Sequence, residues 1–293
     1  MAQVKVKTLL GEYPHLGGLK SGAVKSDIVS FDFYQFKEGE VPHDFFKQTV
    51  KGEFDFSELA LVTVLQAISF GHPIVALPVV ANARYQHGQV AVKADSNLKP
   101  SEIKTIAERT HSQTTPTWAR GVLQNEYGLD LSKVNFIAQI PGHVPEYQEP
   151  ANVRRPEKSK KLADMVADGD VDAAIFNPAS DPRLKSVVPN PDEVGKAWGK
   201  KNGLSMVNHI LVVKSSFSKE HPEAVREIYR IAKESRKAAN LPAAKDGIET
   251  RPIGYSQCKP YFEIALKYAS QQGLLGKPIS VDDLFDATTR ALD

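Results

Sequence analysis

Apolar and polar positions along this chain alternate between two periods, with short strand-like runs handing over to longer helical ones. Residues 3–10 predict a strand, and the turn-rich GEYPHLGGLKSGAV that follows reads as a loop. DIVSFDFYQF at 27–36, rich in β-branched and aromatic residues, predicts a second strand. Pro42 then opens a helix that stops at Gly52. FDF is the next strand, with Ser57 as the expected cap of a helix running to Gly71. The prolines that bound the continuous apolar run PIVALPVV, 73–80, mark a strand buried on both faces, followed by a strand at 87–94.

After Pro100 a second series begins. IKTIAERT is a strand, Thr110–Gly128 a polar turn leading into a helix, VNFIAQI a strand, KSKKLADMVADGD (158–170) a helix and VDAAIF a strand. Residues 141–160, broken by Pro141, Pro145, Pro150 and Pro156, form the longest irregular stretch and are expected beside a cleft. SMVNHILVV at 205–213 is a further strand, and the rest is mainly helical. Two alternating series predict an α/β protein with parallel sheets in two lobes.

Composition changes this picture little. At 293 residues and 41% hydrophobic the chain can bury an ordinary core. Its 37 Lys plus Arg nearly balance 35 Asp plus Glu, so a net charge of +2 gives no footprint for nucleic acid or an acidic membrane surface. A single cysteine, Cys258, allows no internal disulfide. No apolar run approaches the ~18 residues of a membrane span, and no secretory pattern opens the chain, which gives the expectation of a cytoplasmic protein.

Thr110–Gly128, THSQTTPTWARGVLQNEYG, holds the first candidate chemistry. Thr114 or Thr115 is the expected N-cap, Pro116 suits the first turn and Gly128 the stop. A helix start with free N–H groups and neighbouring hydroxyls attracts anions, so a carboxylate is expected there. His87 and His209 are the candidate proton carriers, since imidazole titrates near working pH, His87 begins a strand just after a turn and His209 sits in a strand. Arg84 can grip a carboxylate with its planar fork. Ser57 and Glu58 stand at a strand-to-helix junction, and Asn177 closes a strand at the end where α/β sheets gather ligands. Arg120 reads as a structural ion-pair partner. The eight histidines form no HxH, HExxH or HxxxH pair, and no GxGxxG, GxxxxGK[ST] or GxSxG occurs, so neither a metal nor a cofactor is expected.

KGEFDFSELAL (51–61), ARGVLQNEYG (119–128), LADMVADGDVDAAI (162–175) and NHILVV (208–213) resemble, in order, phrases of the 4,5-dihydroxyphthalate decarboxylases, relatives in fold of the periplasmic substrate-binding proteins. The resemblance runs over about residues 27–240. It implies a two-lobed, type 2 periplasmic-binding-protein-like α/β fold with a central cleft and two chain crossings, near 93–97 and 210–214. Residues 1–94 would form lobe I and 95–211 lobe II, with helices in 212–293 packing on lobe I. It further implies a cofactor-independent decarboxylase of a hydroxylated aromatic dicarboxylic acid. His87 and His209 would move protons, Ser57, Glu58, Arg84, Thr114, Thr115 and Asn177 would bind substrate, and a homo-oligomer would form. The alternative is a non-catalytic binding protein for a small anion in an ABC-type uptake system. The chain departs from the family at ARYQHGQ, where Gln86 replaces an arginine, and at THSQTT, which is expected to set substrate choice.

Overall fold

The computed structural model describes residues 3–158, 160–242 and 247–293. Its first sheet has the order β2-β1-β3-β11-β4, built from β1 (Val4–Leu9), β2 (Val29–Phe33), β3 (Phe56–Ala60), β4 (Ile74–Ala83) and β11 (Val207–Lys214). The second has the order β10-β5-β9-β6-β7-β8, from β5 (Val90–Lys93), β6 (Thr105–Glu108), β7 (Asn135–Ala138), β8 (Val153–Arg154), β9 (Ala173–Ile175) and β10 (Leu184–Ser186). Around them lie α1 (Gly17–Ser21), α2 (Phe46–Val50), α3 (Leu61–Ser69), α4 (Thr114–Tyr127), α5 (Leu162–Ala167), α6 (Pro191–Asn202), α7 (Ser215–Glu220), α8 (Pro222–Ala239), α9 (Tyr255–Gln271) and α10 (Ala287–Arg290).

Both sheets are mixed, not purely parallel as the alternation suggests. β1 pairs parallel with β2 and β3, whereas β11 runs antiparallel to β3 and β4. In the second sheet β6 is parallel to β7 and β9, but β5 is antiparallel to β9 and β10. The antiparallel strands are those that follow a passage between sheets: each enters from the other unit and runs against its neighbours. The passages are 84–89 and 187–206, ahead of the expected 93–97 and 210–214, because Val90–Lys93 already pairs in the second sheet and Val207–Lys214 in the first. They lie side by side, with Arg84 N–H donating to Met206 O at 2.9 Å.

The C-terminal helices pack on the first sheet. Val225, Ile228 and Ile231 of α8 pack with Val6, Leu77 and Leu211 on one face of the first sheet. Phe262 and Ala265 of α9 share a core with Leu61 and Leu65 of α3 on the other. Tail helix SVDDLFDATTRAL resolves into two short pieces, a 3-10 turn at Val281–Leu284 and α10. The predicted 158–170 helix is shorter, Leu162–Ala167, and Ser159 lies outside the described residues.

One boundary matters for the site. The strand expected to end before Ser57 continues to Ala60, and α3 starts at Leu61 with Ala60 as its N-cap. Pairing on both sides, to β1 and β11, keeps Ser57 and Glu58 extended inside the sheet. Neither residue caps a helix.

Candidate functional site

A cavity of about 360 Å³ opens where the two units meet. The first unit contributes His43, Phe46, Ala60, Asn82, Asn208 and His209, and the segment leaving β4 adds Arg84. The second contributes Arg109, Gln113, Thr114, Thr115 and His143.

His209 sits on β11, opposite Ala60 of β3 and Asn82 of β4. The β11–β4 register shifts at Val207, His209, Ile210 and Leu211. Successive side chains of a regular strand point to opposite faces, so the irregularity lets both Asn208 and His209 line one cavity. Behind His209 lies Glu58, 1% exposed. Its Oε1 is 3.0 Å from Nδ1 of His209 and accepts from the Tyr13 hydroxyl at 2.8 Å, while Oε2 accepts from Gly11 N–H at 2.7 Å. A carboxylate at Nδ1 assigns the Nδ1–H tautomer and leaves Nε2 to act on a ligand. The Tyr13 hydroxyl, 3.2 Å from the same nitrogen, is held protonated: burial raises its pKa, and Glu58 raises it further.

Phe46 wedges between two imidazoles, edge-on to His209 at 5.4 Å and to His143 at 5.5 Å. His143 has Nδ1 3.0 Å from the Thr63 hydroxyl. Burial, reinforced by the charges of Lys47 and Arg109, lowers its pKa to about 4, so this ring is neutral. Across the cavity Arg109 donates from Nη1 to Nε2 of His43 at 2.8 Å, joining the two units. Burial and Arg109 both lower the pKa of His43, which keeps it an acceptor. The exposed Arg84 guanidinium has no ion-pair or hydrogen-bond partner among the described residues.

α4 starts at the cavity. Its N-cap is Gln113, not Thr114 or Thr115, and no side chain caps it. Thr114 instead accepts from Val62 N–H at 3.0 Å, tying the start of α4 to that of α3. Thr115 Oγ1 reaches Asn208 Oδ1 at 3.5 Å, the limit of a hydrogen bond. An uncapped helix start and two arginines give the cavity the electrostatics of an anion site.

Of the sequence candidates, Arg84, Thr114, Thr115 and His209 line this one cavity, with Glu58 directly behind His209. The other three candidates stand elsewhere. Ser57 is buried and bonds Thr49 Oγ1 and Glu58 O. Asn177 accepts from Ala179 N–H at the head of a 3-10 turn. His87 is expected from the sequence to share a cleft with His209, but it stands toward the far end of the 84–89 passage, away from that cavity. Its ring lies between Tyr85 and Trp198 beside a separate recess, and neither of its nitrogens has a hydrogen-bond partner among the described residues. Sequence reasoning missed His43, Arg109, His143 and Tyr13. The Pro-rich stretch 141–160, expected beside a cleft, does supply His143.

Among the described residues no group of three or more His, Cys, Asp or Glu is placed to hold a metal ion, and no helix is long and apolar enough to cross a membrane.

No family model matches the chain. It is 23% identical over 245 residues to the 4,5-dihydroxyphthalate decarboxylase of Comamonas testosteroni, covering 76% of this chain and 72% of that protein. In structure it resembles the periplasmic sulfonate-binding protein SsuA of Methylobacillus flagellatus, with a TM-score of 0.60, 13% identity and coverage of 99% of this chain and 93% of the other. The aliphatic sulphonate binding protein SsuA of Escherichia coli gives a TM-score of 0.57 at 11% identity, over 95% and 91% of the two chains. A Candida albicans gene product with the generic periplasmic binding protein fold gives 0.53 at 14% identity, over 96% and 93%. The fold is therefore the two-lobed, periplasmic-binding-protein-like α/β architecture that the sequence motifs imply.

Proposed function

We propose that this protein is a cofactor-independent decarboxylase of a hydroxylated aromatic dicarboxylate of the 4,5-dihydroxyphthalate type. The observation that carries this reading is the Glu58–His209 couple: a buried carboxylate orients an imidazole whose second nitrogen faces an anion-attracting cavity. Binding an anion needs no such couple, whereas moving a proton does. The similarity to a decarboxylase over most of the chain supports the same reading.

In this mechanism Arg84, Arg109 and the start of α4 hold the carboxylates, and neutral His143 accepts a hydrogen bond from a ring hydroxyl. The oxygen para to one carboxylate pushes electron density to the ring carbon that bears it; once that carbon is protonated, its bond to the carboxylate breaks, CO₂ leaves, and the electron pair of that bond restores the aromatic ring. His209 delivers a proton from Nε2 to that ring carbon, and Glu58 balances the charge while the imidazole carries both protons. One proton is consumed and one CO₂ released per turnover, and the ring itself holds the electrons, so no oxidant or reductant enters.

Incubation of the purified protein with 4,5-dihydroxyphthalate should yield CO₂ and 3,4-dihydroxybenzoate in equal amounts. The sulfonate-binding proteins of like fold favour a second reading, in which the cavity only binds a small organic anion. Saturable binding of 4,5-dihydroxyphthalate with no product, and none from related phenolic acids, would establish that one instead.

A further inference from the structure

We propose that a second cavity, behind α4 and apart from the cleft, is a binding site for an uncharged phenol-type ring. This cavity, about 430 Å³, has Leu131, Phe136, Pro150 and Ala151 among its walls and His111 and Arg120 at its base. Its size is that of a small-molecule site, and its walls suit an aromatic ring.

Its base is a charge-balanced cluster in the interior. Glu108, Arg120 and His111 are 0%, 1% and 3% exposed. Arg120 donates from Nη1 to Glu108, from Nη2 to His111 O at 2.6 Å and from Nε to Gln272 Oε1 at 2.9 Å. Every nitrogen of the guanidinium is thereby engaged and its charge is met by Glu108, so an anionic ligand finds no free cation here. Nδ1 of His111 lies 2.5 Å from Oε1 of Glu108, which places the proton on Nδ1 and leaves Nε2 as a bare acceptor.

The polar groups along the walls are already tied. Asn152 donates to Leu131 O and Val134 O, Gln272 donates to Thr117 O, and Ser132 donates to Asp130. Nε2 of His111 has no partner among the described residues. A hydroxyl donor on an apolar ring satisfies it; a carboxylate, which only accepts, does not. Burial and the nearby Arg120 charge lower the His111 pKa, which keeps the acceptor available. Phe136, edge-on to His111 at 5.0 Å and with the Arg120 guanidinium over its ring at 5.5 Å, forms the aromatic part of the cavity wall.

The test is a ¹⁹F NMR titration of the full chain, its cleft first saturated with 3,4-dihydroxybenzoate, with 4-fluorophenol set against 4-fluorobenzoate. Saturable binding of the phenol, on the order of tenfold tighter than the benzoate, is expected, since one hydrogen bond to a buried acceptor is worth about that factor. Ala151→Trp, at the exposed mouth, should abolish it while Ala151→Ser retains it, and neither touches the buried cluster. Arg84→Glu, in the cleft, should leave it unchanged. Binding that survives Ala151→Trp, that is lost in Arg84→Glu, or that treats the two probes alike overturns the proposal, as does no binding at all.

Discussion

His209 and Glu58 meet across two strands of the first sheet, with Nδ1 3.0 Å from a carboxylate oxygen that also accepts from Tyr13. The pair is fixed by pairing and not by chance proximity, since β11 and β3 run in register from His209↔Ala60 to Val213↔Phe56. A ring oriented this firmly from behind presents its other nitrogen to the cavity in one direction.

Glu58→Gln should therefore lower kcat by roughly 10²–10⁴-fold, the usual range for a general acid–base contribution, with KM changed far less. Glutamine keeps the Gly11 N–H bond with its one oxygen and turns its NH2 toward the Tyr13 oxygen and Nδ1 of His209, so the packing survives while the imidazole loses its acceptor. His209→Ala should cost about as much, and the double variant little more, because the two act as a unit. Steady-state kinetics of the three variants on 4,5-dihydroxyphthalate check this; additive losses would separate the pair.

Arg84 and Arg109 approach the cavity from different segments, one leaving β4 and one following β6. Each is expected to hold one carboxylate, so Arg84→Ala and Arg109→Ala should each weaken binding of the diacid by roughly 10–100-fold, the value of a charged hydrogen bond. Arg84→Lys should recover only part, because an ammonium lacks the planar fork. Calorimetric titration with the diacid and with 3,4-dihydroxybenzoate separates the roles: each alanine change should hurt the diacid, and one should leave the monoacid nearly unaffected.

Most of the element order was legible because apolar periodicity survives in β1, β2, β4, β6, β7, β9, β11, α4, α8 and α9. What escaped had physical causes. FSELAL satisfies both periods, and Ser57 followed by Glu58 imitates a helix cap, so only pairing with β1 and β11 reveals a strand. α6 carries Pro191 at its start and Gly203 at its stop, but Gly195 and Gly199 dilute its pattern. Those glycines answer to Tyr85, whose side chain comes within 2.8 Å and 2.0 Å of where their Cβ atoms would stand. His43 and His143 lie in a 3-10 turn and an irregular stretch, where no periodicity says which way a side chain faces. His87 lies three residues further along the same passage as Arg84, beside a different recess, and Arg84 is the residue that stays at the cavity.

Acid should destabilise the fold through its buried neutral histidines. Burial lowers His15, His87 and His143 to about 4, against about 6.5 for an unfolded histidine. Between those values the unfolded chain binds more protons, so stability is full above pH 6.5 and falls as pH drops toward 4, by up to ~1.4 kcal/mol per pH unit per group. His87 isolates one share, since neither of its nitrogens has a partner to lose. His87→Leu should keep or raise stability at pH 7 and flatten the slope by one proton. Urea unfolding at pH 5, 6 and 7 measures it; an unchanged slope removes His87 from the account.

The last prediction concerns how α4 holds its start at the cavity. Gly121 sits in mid-helix, where glycine costs about 1 kcal/mol relative to alanine, so its presence needs a packing reason. That reason is Tyr268 of α9: a Cβ at 121 would stand 2.1 Å from its Cδ2 and 2.8 Å from its Cγ. The same tyrosine packs edge-on against Trp118 at 5.3 Å, and Trp118 donates its indole N–H to Val207 O at 2.8 Å, next to Asn208 and His209. Gly121→Ala must therefore push α4 and α9 apart, at a cost of roughly 1–3 kcal/mol for overpacking. The displacement passes along the helix to Thr114, Thr115 and the strand carrying His209. Lower urea stability together with reduced kcat/KM is expected, and Gly121→Ala with Tyr268→Ala should recover kcat/KM in part, since alanine has no atom beyond Cβ to meet the new methyl. Full stability in Gly121→Ala alone would mean that the helices have slack at this crossing, and that α4 is positioned from its cavity end instead.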